Sequence, residues 1–339
     1  MRNLMQFATR AILVTSKALL VVGTLWTAVA CTSGGGARSS AASQDGHPAS
    51  LKEWQVIDTA TGQPVSFDQW TSLLLRQDII YLGEEHHNRF HFDAAMTVLR
   101  RLKAEGRIPV LAMEMFGWDG QAALNRFLSG SEGSRQEFLE AVRWQQNWGG
   151  PFEDYEPLVR LAKEQHWAVD AMNPPKALVR IVAKNGLAWA QSDPVMAQWG
   201  MKDETIIDDP VYRTRILQQL QACHGGGADG LYQTMYEASM VRDEGMAKTL
   251  VHRLNQIRSG ADRIAGPLVS YTGGGHIQYN LPVPKRVARR VTDQVRQISV
   301  YMTSFEAGRI EELQDMIRER IADYLWLTPV STQGPPRRC

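Results

Sequence analysis

The stretch "DIIYLGEEHHNRFHFD", residues 78–93, decides how the chain is read. Its apolar run, 78–82, is unbroken after Asp78, as a strand buried on both faces requires. Gly83, Glu84, Glu85, His86 and His87 follow at once. From Asn88 onward, in "NRFHFDAAMTVLRRLKAEG", apolar residues return at helical spacing until Gly106 closes the segment. The order is strand, polar turn, helix, and the polar turn raises the question of what its histidines hold.

The same alternation runs outward in both directions. Upstream, "WQVIDTATGQPVSFDQW" predicts two short strands about a Thr-Gly turn and a helix near Phe67 to Leu75. Downstream, "IPVLAMEMF" (108–116) and "WAVDAMN" (167–173) are strands, with helical stretches at 120–128, 134–143 and 154–165 between them. "PPKALVRIVAKNG" opens a helix with prolines in its first turn and a glycine past its end. Residues 193–258 read as wholly helical apart from the break "HGGGADG", and such an insertion suits a lid or a dimer face. "GPLVSYTGGGH" (266–276), "RQISVYMTSF" (296–305) and "YLWL" (324–327) return to strands. The expectation is one α/β domain over 51–328, a mostly parallel sheet flanked by helices with a helical insertion at about 193–258, and a loose tail at 329–339.

The N-terminus predicts export. Arg2, Arg10 and Lys17 precede an apolar run from Ala18 to Ala30, about 13 residues, short of the roughly 20 that span a bilayer. Ala28, Val29 and Ala30 before Cys31 resemble a bacterial lipobox, with Ala28 where leucine is commoner, and Thr32 resembles lipoproteins sorted to the outer membrane. Residues 1–30 then form a signal peptide, an acylated Cys31 holds the lipid membrane, and the Gly/Ser-rich segment 31–50 is a flexible tether. The expected location is the outer membrane, lipid-anchored, facing periplasm or surface. Cys223 and Cys339 are available for a disulfide, but no CxxC metal spacing exists. A formal net charge of +1 gives no reason to expect a nucleic-acid partner.

In parallel sheets ligands bind outside the carboxyl ends of the strands, and the polar residues collect there. Glu84 to His87 end the first long strand, Glu114 the second, Asn173 the third, and Gly273 to His276 a fourth. His86, Glu114 and His276 suit a divalent ion such as Zn, Mn or Co with open positions for water, and Glu84 or Glu85 would be the general base of a hydrolase of peptides or esters. His91 shares a helical face with Met96, Leu99 and Leu102 and reads as structural or exposed. His166, His224 and His252 read as surface residues, and Arg242 with Asp243 as a solvated ion pair.

Taken together, "YLGEEHHN", "LAMEMF", "FEDYEPLVRLA", "DAMNPP", "RDEGMA" and "SYTGGGHIQY" resemble the ChaN-like haem-binding lipoproteins, relatives of the Tiki and TraB proteins and the erythromycin esterases. The likeness runs from about Trp54 to Tyr279. It implies haem bound at a homodimer interface and a role in iron uptake, or metal-dependent hydrolysis as in the Tiki-like branch. His86, Glu114 and His276 match its motif positions, and Asn173, Arg242, Asp243 and Tyr279 match positions of a cofactor site. His87 stands where the family pattern often has Asp, and "LPVP" follows Tyr279 where Gly-Ile-Pro is more usual. For a haem iron the sequence offers Tyr271, Tyr279, His87 and His91, and covalent attachment is excluded because no CxxCH is present.

Overall fold

The computed structural model describes residues 50–131, 133–224, 229–260, 266–332 and 334. The signal peptide, Cys31, nearly all of the tether, Cys339 and the side chains of Cys223 and His224 lie outside the described residues, and so does the expected disulfide. Eight strands form a single sheet: β1 (Val56–Asp58), β2 (Gln63–Val65), β3 (Ile79–Glu84), β4 (Val110–Gly117), β5 (Val169–Asn173), β6 (Leu268–Gly273), β7 (Gln297–Ser304) and β8 (Tyr324–Thr328). Their order is β2-β1-β8-β7-β3-β6-β4-β5. Strands β3 to β8 are mutually parallel, and β1 and β2 add an antiparallel edge.

The chain leaves β3 for β4 and β5, returns to insert β6 between β3 and β4, and then crosses β3 to reach β7. Connections therefore depart to opposite sides of β3, which opens a crevice at its carboxyl end. Alternate residues of each strand supply two cores. Ile80, Leu82, Leu111, Met113, Val269 and Tyr271 pack with Phe92, Val98 and Leu99 of the helix Arg89–Ala104 and Leu158 and Val159 of the helix Glu156–Glu164. Ile79, Tyr81, Val110, Ala112 and Leu268 pack with Met246, Leu250 and Leu254 of the helix Asp229–Arg258 and with Val283 and Val287 of the helix Val283–Arg290. Burial on both faces is why the strands read as continuous apolar runs rather than alternating ones.

Two expectations require correction. Residues 193–258 are not wholly helical: after the short helix Pro194–Gln198, residues 199–209 have no regular structure, and the helices Pro210–His224 and Asp229–Arg258 follow. Nor is the second of these a lid, because its apolar residues cover the sheet. Helical periodicity reveals that a face is apolar, not what it packs against. The helices Val283–Arg290 and Ile310–Arg318 were not anticipated, the first because its proline-rich start reads as a breaker although proline is compatible with a first turn. Among the described residues no helix is long and apolar enough to cross a membrane.

The thirty-residue helix lies close to the end of β5 at Gly245. A Cβ there would sit 2.2 Å from Pro174 Cγ and 3.1 Å from the Trp118 ring, so the residue must be glycine for the helix to approach. Gly245→Ala is expected to destabilise the domain by about 1–3 kcal/mol in urea unfolding. Gly308→Ala, whose Cβ would meet nothing within 4 Å, is the control expected to leave the midpoint unchanged.

Candidate functional site

Beneath the crevice lies a buried ion network. Glu114, on β4, is buried, and its Oε2 accepts 2.6 Å hydrogen bonds from Thr272 Oγ1 and from the Gly273 backbone N–H of β6. Its Oε1 accepts from Arg242 of the long helix and faces His276 Nε2 at 3.4 Å. Arg242 also donates to Asn173 Oδ1 at the end of β5, at 3.2 Å. On its other side His276 Nδ1 donates to Asp243 Oδ1 at 2.5 Å, while Asp243 Oδ2 accepts from the Tyr212 hydroxyl at 2.5 Å. Burial would raise the Glu114 carboxyl, but the positive charges of Arg242 and His276 hold it well below its usual range. For His276, burial works to lower the imidazole, yet the charges of Glu114 and Asp243 outweigh it and push the ring up to about 9. The ring is therefore an imidazolium at neutral pH, with both nitrogens donating.

Above this floor is a half-open cleft of ≈ 350 Å³, lined by His86, His87, Trp148, Asn173, Lys176, Val179 and Arg242 together with Asn147, Gly150 and Pro174. His86 Nδ1 donates to Glu84 Oε1 at 2.8 Å, and Glu84 is fixed in turn by the hydroxyls of Tyr155 at 3.1 Å and Tyr271 at 2.6 Å. The ring packs edge-on to Trp148, with centroids 4.8 Å apart. It lies over Gly273, where any Cβ would come within 2.8 Å of His86 Cε1. Burial alone would lower the His86 ring, but the hydrogen bond and charge of Glu84 raise it above its ordinary value. His87 Nδ1 donates to Asp154 Oδ2 at 2.7 Å, and the residue has a left-handed backbone, φ 67°, uncommon outside glycine. Neither His86 Nε2 nor His87 Nε2 has a hydrogen-bond partner among the described residues, so two oriented imidazoles present Nε2 to the cleft.

The model of a family of haem-binding uptake proteins, ChaN of the Tiki superfamily, matches residues 70–287. The chain belongs to the ChaN family. Its fold is similar to that in the structure of cofacial haem binding to ChaN of Campylobacter jejuni, at 17% identity and a TM-score of 0.60, covering 81% of this chain and 96% of that one. More distant similarity extends to an erythromycin esterase variant in its open conformation (14% identity, TM-score 0.39, 75% of this chain and 77% of that one). It extends also to a Bacillus cereus protein (12% identity, TM-score 0.37, 71% and 70%). No curated protein sequence matches the chain significantly.

Within this ChaN-family fold, the residues singled out from sequence fall into separate groups. His86, His87, Asn173 and Arg242 line the cleft, and Glu114, Asp243 and His276 form the network beneath it. Glu84 stands behind His86 as its hydrogen-bond acceptor. Glu85 points elsewhere: its carboxylate accepts from Thr303 Oγ1, Ser304 N and Ser304 Oγ at the end of β7, so it is not placed as a base for the cleft. Tyr271 is buried in the core with its hydroxyl on Glu84, and burial raises it far above its usual value, which removes it as a tyrosinate ligand. Tyr279 is not among the residues lining the cleft, its hydroxyl accepting from Arg215 at 3.4 Å and donating to Glu319 at 3.2 Å. His91 is fully buried, its Nδ1 accepting from the Glu85 backbone N–H at 3.0 Å, and burial drives it down to about 4.

Arg242 and Asp243 are not a solvated pair, since each binds a different member of the network. His86, Glu114 and His276 come together without forming a ligand set, because Arg242, Thr272 and Gly273 occupy the carboxylate of Glu114. Among the described residues no group of three His, Cys, Asp or Glu side chains is arranged to hold a metal ion. Sequence reasoning missed Trp148, Lys176, Asp154 and Tyr155. The last two lie inside "FEDYEPLVRLA", where the only available signal was the family pattern itself.

The raised His276 sets a pH dependence. A folded value of about 9 against an ordinary 6.5 stabilises the domain fully below pH 6.5, and this contribution is lost as pH rises through 9. Urea unfolding followed from pH 6 to 10 is expected to lose about 3 kcal/mol across that window. NMR should find the His276 ring protonated at pH 8; a neutral ring, with flat stability, would contradict the network as described.

Proposed function

We propose that this chain binds haem in the cleft and serves haem or iron uptake from a lipid anchor at the outer membrane. The observation that carries the reading is the pair of imidazoles, each fixed through Nδ1 by a carboxylate with Nε2 left for a ligand. Carboxylate-oriented histidine is the usual way a protein prepares a nitrogen for a metal, and imidazole is a common axial ligand of haem iron. The rest of the lining fits the group. Trp148 and Val179 provide apolar surface for a flat macrocycle, and Lys176 and Arg242 provide positive charge. Bound haem supplies an iron able to accept a ligand from the protein, and the chain's own residues orient that ligand and screen it from water.

His87 is the residue assigned to the iron. Its Nδ1 is held by Asp154, whereas the His86 ring lies over Gly273. A volume of ≈ 350 Å³ is at the small end for a ligand site, which suits a macrocycle held by one face. The other face is then available to a second copy of the chain with its own haem, and the cofacial haems of the Campylobacter jejuni relative support a homodimer of this kind. Acylation of Cys31 would tether the domain to the membrane through the Gly/Ser-rich segment that follows it. The alternative of a metal-dependent hydrolase loses its support with the engagement of Glu114.

Titration of haemin into the mature protein, residues 31–339, is expected to give a saturable Soret band. His87→Ala is expected to move that band and weaken binding at least about tenfold, equivalent to roughly 1.4 kcal/mol. His91→Ala is expected to reduce stability while leaving the spectrum of the loaded protein unchanged. A wild-type protein without a saturable band would overturn haem binding, and an unaltered band in His87→Ala would overturn the ligand assignment.

A further inference from the structure

A second cavity, of ≈ 370 Å³, lies beside the edge strand β5, between the helix Gln121–Ser129 and the helix Asp229–Arg258. It shares no lining residue with the cleft: Asp170 and Ala171 of β5 border the one, Asn173 at the end of the same strand the other. Its volume is at the lower end of the range for a small-molecule site. The strand itself is closed to a partner here. Gln121 Oε1 accepts from the Ala171 N–H at 2.6 Å and its Nε2 donates to Val169 O at 2.9 Å, so an extended peptide finds these edge groups already paired.

The lining combines an aromatic wall with polar groups. Trp118 and Trp199 are partly buried, their ring centroids 6.5 Å apart and their planes inclined by 48°. Trp118 is held in place, its Nε1 donating to Thr249 Oγ1 at 2.8 Å and to Met172 O at 3.2 Å. Rings so close and so inclined leave no parallel slot for a flat aromatic group, and a ligand meets them from one side.

The charges of the lining are neutralised within the protein. Arg253 makes a two-pronged pair with Asp170, Nε at 2.8 Å and Nη2 at 2.6 Å. Lys248 donates to Gly200 O at 2.6 Å and pairs with Glu204 at 2.9 Å. An ionic ligand therefore gains little from this site, whereas a neutral polar one finds capacity unused. Gln256 Nε2 donates to His252 Nε2 at 3.0 Å, but Gln256 Oε1 is buried with no hydrogen-bond partner among the described residues. Such an acceptor is costly until a donor reaches it. The Asp170 carboxylate, nearly buried, has lone pairs beyond the two taken by Arg253. Asn125 accepts from Gln121 through Oδ1, which leaves its Nδ2 as a donor.

We infer that this cavity is a binding site for a neutral pyranose sugar, its C–H face on the Trp118 and Trp199 wall and its hydroxyls donating to Gln256 Oε1 and Asp170. A sugar ring has an apolar face of slightly positive C–H groups, which suits the negative face of an indole. Its rim of hydroxyls both donates and accepts, as this mixed lining requires. A purely aromatic ligand would cover the wall and leave the Gln256 acceptor unpaired.

The experiment follows the indole N–H signals of Trp118 and Trp199 by NMR in the mature protein. Glucose, N-acetylglucosamine and the β-1,4-linked disaccharide of each are titrated in turn. At least one of these sugars is expected to shift both signals saturably and to leave the haemin titration unchanged. Q256L and W199A, each checked by thermal melt and read through the Trp118 signal, are expected to weaken that sugar about tenfold while binding haemin as wild type does. No saturable shift with any of the sugars would overturn the site, and so would undiminished affinity in Q256L. Shifts produced by free indole at concentrations where no sugar acts would overturn it in favour of an aromatic ligand. Haemin is read independently through its Soret band, so failure of the sugar site leaves the haem reading standing.

Discussion

The carboxylate of Glu114 is buried on β4, and the need to neutralise it ties together β4, β5, β6 and two helices. Removing one partner from such a buried pair typically costs about 3–5 kcal/mol, because an uncompensated charge remains. Arg242 supplies the first partner and thereby fixes the long helix to the sheet, a register that Gly245 permits three residues later. Thr272 and the Gly273 backbone supply the second, joining β6 to β4. His276 is the third, and its charge requires Asp243, which in turn receives the Tyr212 hydroxyl from the helix Pro210–His224. The cleft and its two histidines rest on this floor.

Much of the architecture was legible in the apolar runs. The six parallel strands, the flanking helices and the polar strand ends all follow from periodicity, because burial on two faces and burial on one leave different patterns. Strand order was not legible, since nothing local distinguishes the insertion of β6 between β3 and β4 from its addition at an edge. What the helix Asp229–Arg258 packs against was not legible for a similar reason, as apolar residues in a helix look the same whether they cover a sheet or a partner.

At the site, the histidines and acids that gather there were visible, but their pairing was not. Glu84 is the last residue of β3 and Glu85 the first beyond it, and their carboxylates take different partners. Glu84 turned to His86, and Glu85 to Ser304. The partner of Glu114 comes from a residue 128 positions away, and the partner of His87 from one 67 positions away, distances over which sequence alone carries no register. The tyrosines illustrate the same limit. Tyr271 was claimed by Glu84 and Tyr279 by Arg215 and Glu319, leaving the imidazoles as the nitrogens open to the cleft.

Binding haem and catalysing hydrolysis make different demands on such a strand end. A hydrolytic metal requires a set of ligands with unshared electron pairs, whereas haem brings four of its own and requires one oriented nitrogen, a flat wall and compensation for its carboxylates. The cleft residues His87, Trp148 and Lys176 suit the second combination. The most direct measurement is diffraction from crystals of the haemin-loaded protein at the iron absorption edge. The account predicts an anomalous peak bonded to His87 Nε2, with the macrocycle against Trp148. A peak outside the cleft, or within it but bonded to a residue other than His87, would contradict it.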